Sequence, residues 1–241
     1  GCPPGTLANN FWPAFGNTLF FPLVTVLLET ILGIGMALVM AKDFHGRGLL
    51  RAAVLVPWAI PTAITAKLWA FLFSEQGIVN SIFHAHVAWQ TDPWAARFSI
   101  ILADVWKTTP FMALLILAGL QMIPKDLYEA ARMDGANAWQ RFTRITLPLA
   151  KNSIIVAVLF RMLDALRMYD LPYIMVGPNP DSPTATLSQL VVAAIRQDHV
   201  NAASALSTLI FLLIFLIALC FVKSLGSKVA HQAEPVVAEE E

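Results

Sequence analysis

Five windows of about 20 mostly apolar residues, the length a bilayer core requires, recur along the chain at residues 17–41, 49–74, 95–123, 154–176 and 203–222. Several of them are interrupted by ionisable residues, which are costly against lipid. The helices they form are therefore expected to pack on one another rather than stand as lipid-facing rods. Composition agrees, since the chain is 57% hydrophobic and 13% charged, against roughly 25% charged in a soluble domain. The pattern predicts an all-α polytopic membrane protein with a five-helix core.

Charge placement orients it. If the polar segment between the third and fourth windows is cytoplasmic, ten of the sixteen basic residues fall inside: Lys42, Arg47, Arg51, Lys125, Arg132, Arg141, Arg144, Lys151, Lys223 and Lys228. Only Arg97 and Arg196 fall outside, and the remaining four lie within the windows. The positive-inside rule then places the N-terminus outside and the C-terminus in the cytoplasm. No signal-like run precedes the first window, so a further transmembrane helix is expected upstream of Gly1. Residues 1–222 read as one transmembrane domain and residues 223–241 as a cytoplasmic tail, with 230–241 solvated and mobile. A formal net charge of zero gives nucleic-acid binding no electrostatic support. Cys2 and Cys220 fall on opposite sides and cannot pair, and no Cys/His spacing suggests a metal site.

The polar segment at 124–151 has its own pattern. Glu129-Ala130-Ala131 is followed after three residues by Gly135, and after nine more by Ile145-x-Leu147-Pro148. Pro124 ends the third span, Asp126 is placed to cap a helix over 127–133, and Gly135 suits the left-handed residue that stops it. A second helix over 137–146 should end at Pro148. Ala130 and Ala131 let another surface approach closely, and Glu129 offers a docking charge. Phe142, Ile145 and Leu147 can pack back on the membrane helices. Without its register, such a loop reads as a plain helical hairpin.

With that register, between the third and fourth spans, the segment resembles the cytoplasmic coupling loop in the permease subunits of binding-protein-dependent ABC importers. Asn17-Thr18, the run Val56-Pro57-Trp58-Ala59-Ile60-Pro61 and Tyr169-Asp170 resemble the maltose-type sugar branch of that family. The resemblance implies the type I permease fold, with its first N-terminal helix absent here and no large extracytoplasmic insertion. It implies a heterodimer with a second permease, two ATPase subunits that hold ATP and magnesium, and an extracytoplasmic sugar-binding (lipo)protein. No cofactor is expected on this chain itself. The cargo would be a disaccharide such as trehalose or maltose, and the location a bacterial inner membrane. Glu129, Ala130, Ala131, Asp134 and Gly135 would form the coupling helix.

Asp104, Lys107 and Thr108 share a face of the third span, with Pro110 just beyond. Arg161, Asp164, Arg167 and Asp170 recur at threes along the fourth. Counting about 1.5 Å per residue from the loop puts Arg161 and Asp164 near mid-bilayer and Asp104 toward the outer side. Carboxylates and guanidinium groups serve both the donors and the acceptors of a sugar, and Trp58, Trp69, Trp106 and Tyr169 offer ring faces. Asp104, Thr108, Arg161 and Asp164 are the expected substrate residues, because the sugar branch draws its translocation site from these two spans. The competing reading is a registry network of Arg161–Asp164, Arg167–Asp170 and Asp104–Lys107 ion pairs. Glu29 would pair with Lys67 or with a partner subunit, unless Lys67 snorkels outward. Pro57 and Pro61 should bend the second span. Residues 177–183 form a rigid turn, and 184–197 an amphipathic or re-entrant helix that caps the bundle or meets the binding protein.

No phosphate-binding loop, nucleophile elbow or metal motif occurs, so the chain reads as a non-catalytic subunit. An autonomous secondary transporter would predict an internal repeat, and none is visible. A peptide or polyamine permease would share the loop, and a membrane scaffold would leave the buried charges unexplained.

Overall fold

The computed structural model describes residues 5–84 and 86–230, and the described residues are built from helices. Four are long and apolar enough to cross a membrane: α1 (Gly5–Met40), α5 (Pro93–Gln121), α8 (Leu147–Ala165, continuous with the turns before it) and α11 (Val200–Ala230). The second expected span is α2 (Arg47–Ala59) followed by α3 (Thr62–Leu72), bent by 86°. Short helices α4 (Ile78–Phe83), α6 (Lys125–Met133), α7 (Ala138–Arg141), α9 (Asp170–Met175) and α10 (Leu187–Arg196) complete the order.

Prolines explain where two windows and the loop helix differ from expectation. Ile60 precedes Pro61 and is extended, with ψ 132, because the proline ring disfavours a helical residue before it. The second span therefore breaks at Ile60–Pro61, while Pro57 is absorbed inside α2. The fourth span ends at Ala165 rather than running to 176. Pro172 has no N–H for the Met168 carbonyl four residues back, and the Thr186 hydroxyl donates to that carbonyl instead at 2.9 Å. Pro148 does not end a helix. A π-turn over Phe142–Thr146, closed by Leu147 N–H to Phe142 O, widens the backbone ahead of it. The helix thus runs from Ala138 to Ala165 without a stop. The first span is longer than its window, because Phe11, Ala14 and Phe15 continue α1 outward and pack with Leu187, Leu190 and Leu206.

Helix α5 is the hub, packed against α1, α8 and α2. One apolar cluster joins Phe21, Ala66, Phe73, Ile100, Ala103, Leu171 and Met175. A second joins Ala37, Met40, Met112, Ala113, Ile116, Leu117 and Ala157. Glu29 of α1, Asp104 of α5 and Arg161 of α8 lie in the layer between them. Small residues set the approach of α5 to α8, and a Cβ on Gly119 would run into the side chain of Ser153. Gly119→Ala should accordingly destabilise the bundle by about 1–3 kcal/mol through overpacking, and Ser153→Gly should rescue it. Thermal unfolding of the single and double variants in detergent tests this, and an unperturbed single variant would refute the close approach.

Candidate functional site

Arg161 is the centre of the buried charge layer. Its side chain is 2% exposed, yet it reaches carboxylates from three helices. Nε and Nη2 donate to Glu29 of α1 at 2.7 and 3.1 Å, Nη2 also donates to Asp104 of α5, and Nη1 donates to Asp164 of its own helix at 3.0 Å. Thr108 Oγ1 lies 2.7 Å from Glu29 Oε1 and 2.6 Å from the Asp104 carbonyl. The planar fork of a guanidinium is what permits one residue to serve three acids. Glu29, 0% exposed, thus pairs with Arg161 and not with Lys67, which is exposed. Of the expected registry pairs only Arg161–Asp164 forms; among the described residues neither Arg167–Asp170 nor Asp104–Lys107 makes an ion pair. Asp104 meets Arg161 directly, so the two are level. The depth count failed because the helix carrying Arg161 starts at Ala138, well before the apolar window.

Beside this layer opens a cleft of about 320 Å³. The expected substrate residues Asp104, Thr108, Arg161 and Asp164 all line it, with Lys107, Arg167, Tyr169 and Asp170. Their access differs. Glu29 and Arg161 are sealed, whereas the Asp164 side chain is 68% exposed. The cleft sits where both broken spans come together, since Thr62 opens α3, Ala165 closes α8 and Asp170 opens α9. Half-helix ends present backbone dipoles and unpaired amide groups to such a cavity. Of the four candidate aromatics only Tyr169 borders it, stacked on Tyr173 at 4.9 Å. Trp58 stacks instead on Phe111, and Trp69 packs on Phe73 and Trp106.

Residues 183–187 are tied down by the Asn17-Thr18 pair. Asn17 Nδ2 donates to the carbonyls of Pro183 and Ala185, both at 2.9 Å, while its Oδ1 accepts from Arg97. Thr18 Oγ1 accepts the Leu187 N–H at the start of α10, at 2.9 Å. A capping box between Thr186 and Gln189 completes that helix start. Leu187, Leu190 and Ala194 are buried against the bundle, as the amphipathic reading of 184–197 requires. Thr18→Val removes one buried acceptor, and should cost about 1–3 kcal/mol for the orphaned N–H. Faster amide hydrogen exchange at 187–190 than in the parent checks it; unchanged exchange would contradict the cap.

The polar loop forms a platform. Helix α6 begins at Lys125 with Pro124 as its cap residue, so Asp126 lies in the first turn instead of at the cap. Gly135 has φ +76 and, with Ala136 N–H bonded to Ala131 O at 2.9 Å, closes the helix as expected. An Asn137–Gln140 capping box starts α7. Glu129, Ala130, Asp134 and Gly135 are exposed and Ala131 half-buried. Around them lie exposed apolar residues that the sequence reading passed over: Leu127 at 44%, Met133 at 88% and Trp139 at 70%. Apolar positions in a short polar loop were the available signal. Lys125 hydrogen-bonds Asp43 at 3.2 Å and ties α6 to the turn after α1. That bond, with Arg47 beside it, holds the Asp43 carboxyl below the usual carboxylate range. The tie is therefore present at neutral pH and is lost as acid protonates Asp43. The expected tail beyond residue 230 and Cys2 lie outside the described residues.

A bundle of broken and unbroken spans around a polar cleft, with a helical platform at one end, is the architecture of an importer permease. The model of the binding-protein-dependent transport system inner membrane component matches residues 29–231. The chain belongs to this family, and it is a multi-pass inner-membrane protein. It is 44% identical to the trehalose/maltose transport system permease protein MalF of Thermococcus litoralis, over 90% of this chain and 75% of that protein. It is 39% identical to the trehalose transport system permease protein SugA of Mycobacterium tuberculosis, over 90% of this chain and 71% of that protein. Among solved structures, a bacterial ABC transporter that imports the acidic polysaccharide alginate superimposes with a TM-score of 0.80 at 25% identity, covering 94% of this chain and 80% of that one.

Proposed function

We propose that this chain forms one half of the translocation path of an ATP-driven sugar importer, with a neutral disaccharide such as trehalose or maltose as cargo. The observation that carries the reading is the cleft at the junction of the two broken spans. Three carboxylates (Asp104, Asp164, Asp170) and three cations (Lys107, Arg161, Arg167) line it, so its formal charge cancels. Such a wall does not select for a charged solute, and its carboxylates and guanidinium groups offer acceptors and donors to hydroxyls. The two relatives described above carry trehalose or maltose in their names, which favours the same class here.

Asp164 is the residue placed to read sugar hydroxyls, with Thr108, Asp104 and Arg161 behind it. A second permease completes the path. The apolar face of α11, including Leu209, Phe211, Phe215 and Leu216, is left exposed for that subunit or for lipid. An extracytoplasmic binding protein delivers the sugar to the side where the N-terminus lies. On the cytoplasmic side Glu129, Ala130, Ala131, Asp134 and Gly135 dock an ATPase subunit. ATP and magnesium belong to those partners; this chain performs no chemistry. Closure of the ATPase pair moves the platforms together, and the permease halves rock so that the cleft opens to one side and then the other.

Asp164→Ala separates substrate binding from registry. Arg161 would still hold Glu29 and Asp104, so assembly should survive. Uptake of labelled trehalose by proteoliposomes holding the four-subunit complex and its binding protein should fall by about tenfold or more. Loss of assembly instead would return Asp164 to the registry network.

A further inference from the structure

The break in the second span leaves backbone carbonyls that no amide can reach. Pro61 has no N–H, and the Ile64 and Thr65 amides both turn to Pro61 O at 3.0 Å. With α3 swung away by 86°, the carbonyls of Trp58 and Ile60 face the middle of α5. Lys107 is there. Its Nζ donates to Ile60 O at 2.6 Å and to Trp58 O at 3.4 Å. The side chain is buried, and among the described residues no carboxylate oxygen makes an ion pair with it. An ammonium at the C-terminal end of α2 also meets the negative end of that helix dipole. Inside a membrane, freed carbonyls need a donor from somewhere, and α5 supplies it.

The same lysine borders the cleft one turn from Asp104 and beside Thr108. The two halves that meet at this bend pack differently: α2, whose end Lys107 holds, lies against α5, and α3 lies mainly against α9. We infer that Lys107 is a positioning residue, holding the α2–α3 bend at the wall of the cleft and setting how fast the path reorganises, without contributing to sugar recognition. A flexible four-carbon stem with three donors can follow the two carbonyls as the bend changes angle, which a side chain fixed in an ion pair could not.

The inference rests on the importer reading, and the test keeps the two apart. Lys107→Met, Lys107→Gln and Lys107→Arg would be made in the full complex in proteoliposomes with its sugar-loaded binding protein. Lys107→Met should lower the maximal uptake rate by about tenfold while leaving the half-saturating concentration of loaded binding protein unchanged. Lys107→Arg should restore at least half of the rate, and Lys107→Gln should fall between. Spin labels at the exposed positions Ala53 and Leu68, on either side of the bend, should give one narrow distance in the parent and a broadened, longer one in Lys107→Met. A parent rate in Lys107→Met, an unchanged label distance, or a change confined to half-saturation would overturn the assignment. If the parent complex moved no sugar at all, the importer reading would fail, while the label distances would still report on Lys107.

Discussion

Arg161→Met is expected to lose most of the folded permease. The substitution strands Glu29, 0% exposed, and Asp104, 4% exposed, against each other with no counter-charge. Removing one member of a buried ion network costs about 3–5 kcal/mol, a large part of a typical stability of 5–15 kcal/mol. Arg161→Lys should recover only part of the loss, because one ammonium cannot span acids on three helices. Combining Arg161→Met with Glu29→Gln and Asp104→Asn should recover more, as neutral amides leave no uncompensated charge. Yield and thermal unfolding of the purified subunit decide it: an Arg161→Met protein melting within a degree or two of the parent would show that the layer does not hold the bundle.

Replacing Ala130 and Ala131 together by leucine should abolish nucleotide-driven uptake and leave the bundle intact. Both side chains sit on the platform helix, with Glu129 beside them and Leu127, Met133 and Trp139 forming an apolar rim. Two added isobutyl groups would hold a partner surface away by more than the fit of a packed interface tolerates. The change adds no strain to α6 itself, because leucine is a good helix former. Uptake should drop to background while sugar-dependent ATP hydrolysis is lost with it, and the melting temperature of the isolated permease should stay put. Normal uptake in the double variant would remove the platform from the coupling route.

Much of this was readable in one dimension. Apolar windows are local, additive properties, and they survive without knowledge of the neighbours. Gly135 could be placed because a left-handed stop is a demand of the backbone alone, and φ +76 meets it. The cleft residues Asp104, Thr108, Arg161 and Asp164 could be grouped, since membrane ionisables converge on polar interiors.

Pairing and breakage were a different matter. Sequence distance favoured Arg161–Asp164, which forms, and Asp104–Lys107, which does not; it gave no sign that Arg161 also reaches Glu29, 132 positions away, or that Lys107 meets carbonyls near Ile60. Prolines announced weak points at 57, 61 and 148 but not which would yield, and Pro172 was not singled out. Pro57 and Pro148 were absorbed, by a helix interior and by a π-turn. The chain gave way at Pro61 and ahead of Pro172, where Lys107 and Thr186 from other elements satisfy the carbonyls. The amino-acid order alone thus determined which segments are apolar enough to enter the membrane and where the polar loop falls between them, because hydration and charge act residue by residue. Only the tertiary structure decided which charge meets which and where a span breaks, because those choices belong to whichever distant side chain supplies the missing donor.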